Sequence, residues 1–319
     1  LHNADVESLP ERPEMDFTLV RNGMDYLSSA VLYLTGKIQV PMDAQPLWPE
    51  VAHGSVFSQP APFWLSARHL KYGVLHLQAA VEVLLKARLV REHWCLVFTD
   101  PGSATRASYE QGKFKSCDTN TALDRLTQIA NVPITVKQRR AITDLAETRN
   151  ALTHYGHTGN AYAVEARAAR AMSFLIDFVS QYLHPTLSRD AEIVSKTMDA
   201  VRNSLKHIDA LVKKRMQDLA SELDAVAERT VVCPSCRQWA LVVGETPLTC
   251  RFCLRAFEFP TDAVVNYWRD VLNAADPDGA GDCPVCEKDD VMMWASVAAD
   301  KHTDILLCFH CGFAYKEKE

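Results

Sequence analysis

Apolar residues at Phe17, Val20, Met24, Leu27, Val31 and Leu34 recur every three or four positions. That period predicts a helix over residues 16–36, with Gly36 placed to end it. Five prolines between Pro41 and Pro62 then exclude regular structure. A broader stripe, Leu70, Val74, Leu77, Val81, Leu84, Leu85 and Leu89, predicts a long helix from about Ser66 to Glu92, suited to the interior of a bundle. Asp118 or Thr119 can cap a short helix running to about Ala130, and Pro133 closes that region. Thr135 with Gln138 forms a capping box for a helix through Ala141, Leu145, Leu152 and Tyr155, stopped at Gly156. A further helix spans Ala161 to Leu183 before Pro185. Residues 16–185 therefore read as an all-α bundle behind a polar, aperiodic stretch, residues 1–15, expected to be a mobile arm.

From Val194 the pattern narrows. Val194, Met198, Val201, Leu205, Ile208, Val212, Met216, Leu219, Leu223 and Val226 follow one another at intervals of three and four, a heptad seam with one stutter. Residues 186–230 are expected to form a long helix in an intermolecular coiled coil; the alternative is a helix lying on its own bundle, which periodicity does not separate from the first.

The last third of the chain changes character. Eight of its cysteines form four C-x-x-C pairs, Cys233/Cys236, Cys250/Cys253, Cys283/Cys286 and Cys308/Cys311. Two thiolates separated by two residues reach one metal from a single tight turn, and a second pair on a hairpin completes a tetrahedral shell. Two structural zinc sites are predicted, in a first ribbon over residues 231–260 and a second over 280–319. A linker helix, capped by Thr261 or Asp262, is expected within residues 261–279. Four sulfur ligands leave no position for a reactive water, so no catalytic metal is expected. Disulfides are the competing reading; the pair spacing, with Cys95 and Cys117 left over, favours metal in a reducing compartment, with the cytoplasm as the expected location.

Charge refines the picture. Residues 231–319 hold 8 Lys/Arg against 14 Asp/Glu, a net of −6, which leaves 26 of each sign in the remainder of the chain. Each four-thiolate zinc adds about two negative charges more. Apart from a local patch around Arg237, Trp239, Arg251 and Arg255, the ribbons should repel a phosphate backbone, and a protein partner suits them better. No run of eighteen apolar residues occurs, so no membrane span is expected.

One string carries candidate chemistry: Arg149-Asn150-Ala151-Leu152-Thr153-His154, at the end of a predicted bundle helix. Here the sequence resembles the HEPN superfamily (higher eukaryotes and prokaryotes nucleotide-binding), helical-bundle proteins whose nuclease members carry Arg, a polar residue and His in an R-polar-x-x-x-H string. The helix from Ala79 and the Gly112-Lys113-Phe114-Lys115-Ser116 stretch also look like that family's early helix and connecting loop. The resemblance covers residues 16–183 and none of the ribbons. Arg88…His93 and Arg202-Asn203…His207 share the spacing, but the first marks a helix end and the second flanks the seam.

The resemblance implies a metal-independent endoribonuclease acting as a homodimer on RNA. On an α-helix Asn150 and His154 lie about 40° apart and Arg149 about 140° from His154, so one chain does not easily converge all three. Two copies meeting across a two-fold axis resolve this, with His154 as base towards a 2′-hydroxyl, Arg149 on the phosphate and Asn150 as the orienting group. Lys113, Lys115, Lys137, Arg139 and Arg140 are candidates to track the RNA backbone. Glu82 and Lys86, four residues apart, read either as an intrahelical ion pair or as a brace for the motif helix. The alternative function is a non-catalytic adaptor binding nucleotide, RNA or a protein; a DNA-binding regulator is disfavoured by the acidic ribbons.

Overall fold

The computed structural model describes residues 18–35, 63–155, 160–187, 190–274 and 280–315. The expected arm, the Pro-rich stretch and the Gly156 stop lie outside these residues. The protein is mainly helical, with small antiparallel sheets towards its C-terminus.

Helix α1 (Leu19–Thr35) and helix α2 (Phe63–Glu92) pack along their lengths, burying Met24, Leu27 and Val31 against Val74, Leu77, Val81 and Leu84. Their close approach depends on Gly23, where a Cβ would lie 2.5 Å from the Leu84 side chain. A connection of short turns follows, containing α3 (Arg106–Glu110). Its strand-like ends meet at a Phe98–Ser116 bridge, and Arg125 ties it down by donating to the carbonyls of Leu96 and Thr99. Helix α4 (Thr119–Gln128) is capped by Asp118, and helix α5 (Val136–Asn150) starts at the Thr135/Gln138 capping box. Helix α6 (Ala161–Phe178) runs through the centre of the bundle and continues into a π turn, Val179–Leu183.

The heptad segment differs from the expected continuous coiled-coil helix. It forms two helices, α7 (Ala191–Ser204) and α8 (Asp209–Asp224), separated by a tight turn at Leu205–His207. The break lets α7 lie on α1 while α8 turns onto α6. All ten seam residues enter or pack against the chain's own core: Val194, Met198, Val201, Leu205, Ile208 and Leu223 are buried in it, while Val212, Met216, Leu219 and Val226 rest on its margin. Most of the narrow stripe is thus used within the chain, and its half-buried remainder lies along α8 and just after it.

Strands β1 (Thr230–Val232), β2 (Trp239–Val242), β3 (Leu248–Cys250) and β4 (Ala256–Phe257) form an antiparallel sheet in sequence order. Helix α9 (Pro260–Asp270) follows, starting earlier than Thr261 or Asp262 would have it because Pro260 occupies its first turn. Strands β5 (Met292–Val297), β6 (Asp300–Cys308) and β7 (Ala314–Tyr315) make the second sheet. The first sheet, α9 and the inner face of the second sheet (Met293, Ala295, Ile305, Leu307) share one continuous core with the helices. Among the described residues, no helix is long and apolar enough to cross a membrane.

Candidate metal centres and candidate catalytic motif

The four C-x-x-C pairs share one backbone design. The amide four residues after each first cysteine donates to that cysteine's carbonyl: Arg237 to Cys233, Leu254 to Cys250, Glu287 to Cys283 and Gly312 to Cys308, each at 2.9 Å. The first cysteine's own amide donates onward to the residue five positions later, Gln238, Arg255, Lys288 or Phe313, at 2.8–3.0 Å. Closing so tight a loop forces the residue after each second cysteine into the left-handed region, with φ of 61° at Arg237, 59° at Leu254, 54° at Glu287 and 76° at Gly312. In the fourth loop that residue is glycine; in the other three an L side chain bears the cost of roughly 1–2 kcal/mol.

The loops face each other in pairs. Cys233 and Cys253 sulfurs stand 3.8 Å apart and Cys236 and Cys250 3.7 Å; in the second group Cys283–Cys311 is 3.7 Å and Cys286–Cys308 3.8 Å. All four sulfurs of each group lie within 4.8 Å of one another. A tetrahedron of sulfurs around a metal bonded at about 2.3 Å has edges of about 3.8 Å, whereas a disulfide needs about 2.05 Å. Both groups are therefore geometrically suited to hold a metal ion such as zinc. Amides of Cys253 and Cys311 point at the sulfurs of Cys250 and Cys308, at 3.5 and 3.4 Å, and are placed to stabilise thiolate charge.

Charged side chains of the helices hold the first centre in place, a role its sequence pattern did not reveal. Arg202 on α7 donates to the Cys253 carbonyl at 3.0 Å. Arg215 on α8 is buried, donates to the Phe252 carbonyl, lies over the Phe252 ring and grips Asp177 of α6 at 2.7 Å. Arg251 pairs with Glu222 and Glu245, and Arg255 with Asp199. These ion pairs engage two of the arginines considered above as a phosphate-binding patch. The Arg202-Asn203…His207 string thus belongs, through Arg202, to a structural contact. Arg215 closes a basic run, Lys213-Lys214-Arg215, in which nothing local sets it apart as a buried anchor.

The candidate catalytic string sits where α5 gives way to a π turn, Ala151–Tyr155. Arg149 donates to the Asn150 side-chain oxygen at 2.8 Å, and Thr153 donates back to the Arg149 carbonyl at 2.7 Å. Asn150 and His154 are exposed and Arg149 is half-buried. A π turn is wider than an α turn and matches five-residue spacing, so it narrows the angular gap between Arg149 and His154 expected from α geometry. Neighbouring Thr148 faces inward, where Arg167 of α6 donates to it at 3.0 Å, and Arg170 pairs with Asp144. These contacts fix the helix behind the exposed residues.

Glu82 and Lys86 form the expected i, i+4 pair at 2.6 Å. The Lys86 side chain is only 8% exposed and its ammonium also donates to Ser116 at 2.9 Å, so the pair fastens the 93–117 connection to α2. Among the candidate RNA-tracking residues, Lys137 pairs with Asp218 and Arg139 with Asp124. Burial pushes the Asp218 carboxyl up, but hydrogen bonds from Lys214 and Lys137 outweigh that and hold it below the usual range.

The fold and its two centres define a helical bundle carrying a pair of four-cysteine ribbons. Comparison with family models, curated proteins and solved structures gave no match.

Proposed function

We propose that this protein is a metal-independent endoribonuclease of HEPN type, working as a homodimer in a reducing compartment, the cytoplasm, with zinc as a structural ion in both ribbons. The observation that supports it is the grouping of Arg149, Asn150 and His154 on one solvent-facing helix end, held from behind by Arg167 and Arg170. His154 takes the proton of an RNA 2′-hydroxyl, whose oxygen attacks the adjacent phosphorus. The 5′-oxygen leaves, taking a proton from the imidazolium of the second copy, and a 2′,3′-cyclic phosphate remains. Arg149 holds the phosphate as charge builds on it. With most of the heptad seam packed on the chain's own core, the homodimer rests on the family resemblance. Analogy with the family makes the biological role that of a toxin or defence effector.

A non-catalytic adaptor for nucleotide, RNA or protein is the second reading. What favours it is that Arg149 already spends one nitrogen on Asn150. The discriminating experiment incubates total RNA with the wild type, His154→Ala and His207→Ala, with and without brief EDTA treatment. Cleavage that survives EDTA, leaves cyclic phosphate ends and falls on the order of 100-fold or more in His154→Ala alone is expected for a lost general base. Loss in His207→Ala instead moves the site to the other string, and no cleavage by any of the three favours the adaptor.

A further inference from the structure

The second ribbon presents an apolar row on the face of its sheet turned away from the core. Trp294 on β5 pairs in register with Leu306 on β6, which pairs in turn with Tyr315 on β7, so the three side chains stand side by side across all three strands. Trp294 is 44% exposed and Tyr315 52%, while Leu306 is half-buried against the second metal centre. Alternate residues of the same strands, Met293, Ala295, Ile305 and Leu307, fill the core, so the row is not needed to hold the sheet down. Aromatic side chains in such a cluster are the usual anchors of protein interfaces.

Acidic groups bracket the row. Two pairs further along, on the same face, is Ser296 opposite Asp304, whose carboxylate accepts from the serine hydroxyl at 2.5 Å. Two pairs the other way lies Met292 opposite Cys308, next to the loop that carries exposed Asp282, Glu287, Asp289 and Asp290. Residues 280–315 contain two Lys/Arg against six Asp/Glu. A four-thiolate metal deepens that field by about two charges.

We propose that the Trp294–Leu306–Tyr315 row docks a basic segment of another protein, one that sets an apolar side chain between flanking lysines or arginines. Its apolar residue seats on Trp294 and Tyr315 while its cations face Asp304 at one end and the loop carboxylates at the other. Charge selects this occupant over the others. A nucleic-acid backbone and a second copy of the ribbon both bring negative charge to a negative face. Residues 1–17 of the chain itself carry one arginine against five carboxylates, and residues 36–62 one lysine against two, so neither complements the row. The proposal specifies the docking role given to the ribbons above and does not depend on the nuclease chemistry, so RNA cleavage and peptide binding can fail separately.

The test uses the full-length, metal-loaded chain and fluorescein-labelled short peptides with a Leu-Trp-Leu centre flanked by lysines. Counterparts carry a Ser-Gly-Ser centre or glutamate flanks, and a single-stranded oligonucleotide serves as a further probe. Binding of the lysine-flanked apolar peptide should weaken about tenfold or more in Trp294→Ser and Tyr315→Ser, the loss of an anchoring contact. It should weaken less in Asp304→Asn and not at all in Val136→Ser, which removes an exposed apolar residue elsewhere. Metal content of two ions per chain in each variant shows that the ribbon stays folded. Equal binding by wild type and Trp294→Ser, equal binding of the Ser-Gly-Ser peptide, preference for the oligonucleotide, or a monomer–dimer equilibrium that shifts with Trp294→Ser each overturns the proposal.

Discussion

Arg202 of the helical bundle donates from Nε to the main-chain carbonyl of Cys253, one of the four grouped cysteines of the first ribbon, at 3.0 Å. A helix thereby holds a metal loop by its backbone rather than by a side chain. Arg215 does the same one residue earlier at Phe252 and adds the carboxylate of Asp177. Ribbon and bundle consequently share a core and a set of charged hydrogen bonds, and each depends on the other for its position.

Removing Arg215 leaves Asp177 and the Phe252 carbonyl without their buried donor. Arg215 is 6% exposed in its side chain, whereas Asp177 keeps some solvent. Arg215→Met should therefore cost about 2–4 kcal/mol, and Arg202→Met, which loses one carbonyl contact and a surface pair with Asp199, about 1–2 kcal/mol. Urea denaturation of both variants and of the double variant measures this. Costs below about 0.5 kcal/mol for Arg215→Met would show that the guanidinium is a passive filler.

The two metal centres should not release their ions together. Every cysteine of the first centre is buried within the main core, while Cys286 is half-buried and Cys311 exposed in the second, which sits in a small cluster of its own. Titration with a chelator should give two phases, the faster coming from Cys283, Cys286, Cys308 and Cys311. Cys283→Ser should erase the fast phase and halve the metal content, and Cys233→Ser should also unfold the first ribbon and expose the faces of α7 and α8. Hydrogen exchange followed through the titration reads the order directly; simultaneous loss of protection in both ribbons would contradict it.

The ribbons meet at two glycines. Gly244 has φ of 80°, and a Cβ there would lie 3.0 Å from the backbone of Gly312, itself at φ of 76°. Gly244 also donates to the Phe309 carbonyl across the same junction. Gly244→Ala should destabilise the protein by about 2 kcal/mol or more, since left-handed strain of about 1–2 kcal/mol adds to a collision with main chain that has no rotamer to escape into. Gly281→Ala, where a Cβ meets nothing within 4 Å, is the matched control and should be near neutral. Thermal unfolding of the two variants side by side tests the difference.

Local signals were legible in the sequence where one residue type has one physical use. Thr135 with Gln138 forms the reciprocal capping box, Asp118 caps α4, and the C-x-x-C spacing brings the eight sulfurs into two groups of four. Signals that depend on what a surface meets were not. The heptad stripe from Val194 to Val226 has the same spacing whether it faces a second chain or the same one, and the turn at Leu205–His207 that directs it inward contains neither proline nor glycine. Arg202 and Arg215 carry no local mark of their task, because the carbonyls they serve lie 51 and 37 residues away in the chain. The strained position after each second cysteine is likewise hidden in three loops of four, where arginine, leucine and glutamate occupy it.

Alkaline pH should loosen the junction between α9 and the fourth cysteine loop. Tyr267 is buried with its ring edge-to-face on Phe309, their centroids 5.6 Å apart, and Phe309 follows Cys308 directly. Burial raises the phenol to about 12, with the Asp304 carboxylate adding to the effect, against an ordinary value of 10.0. The folded state thus favours the neutral phenol. Its contribution is complete below pH 10, where the unfolded tyrosine begins to ionise, and is lost as pH rises towards 12. Two units correspond to at most about 2.7 kcal/mol, so a fall on the order of 1–2 kcal/mol by pH 11.5 is expected. Metal thiolates remain deprotonated throughout that window, which separates this effect from loss of the ribbons. Tyr267→Phe should be stable to within about 1 kcal/mol at pH 8, where it loses only the hydroxyl, and its stability should decline less steeply than the wild type's above pH 10. Urea midpoints measured at pH 8, 10 and 11.5 for both proteins give the answer, and parallel declines would assign the alkaline loss to groups other than this phenol.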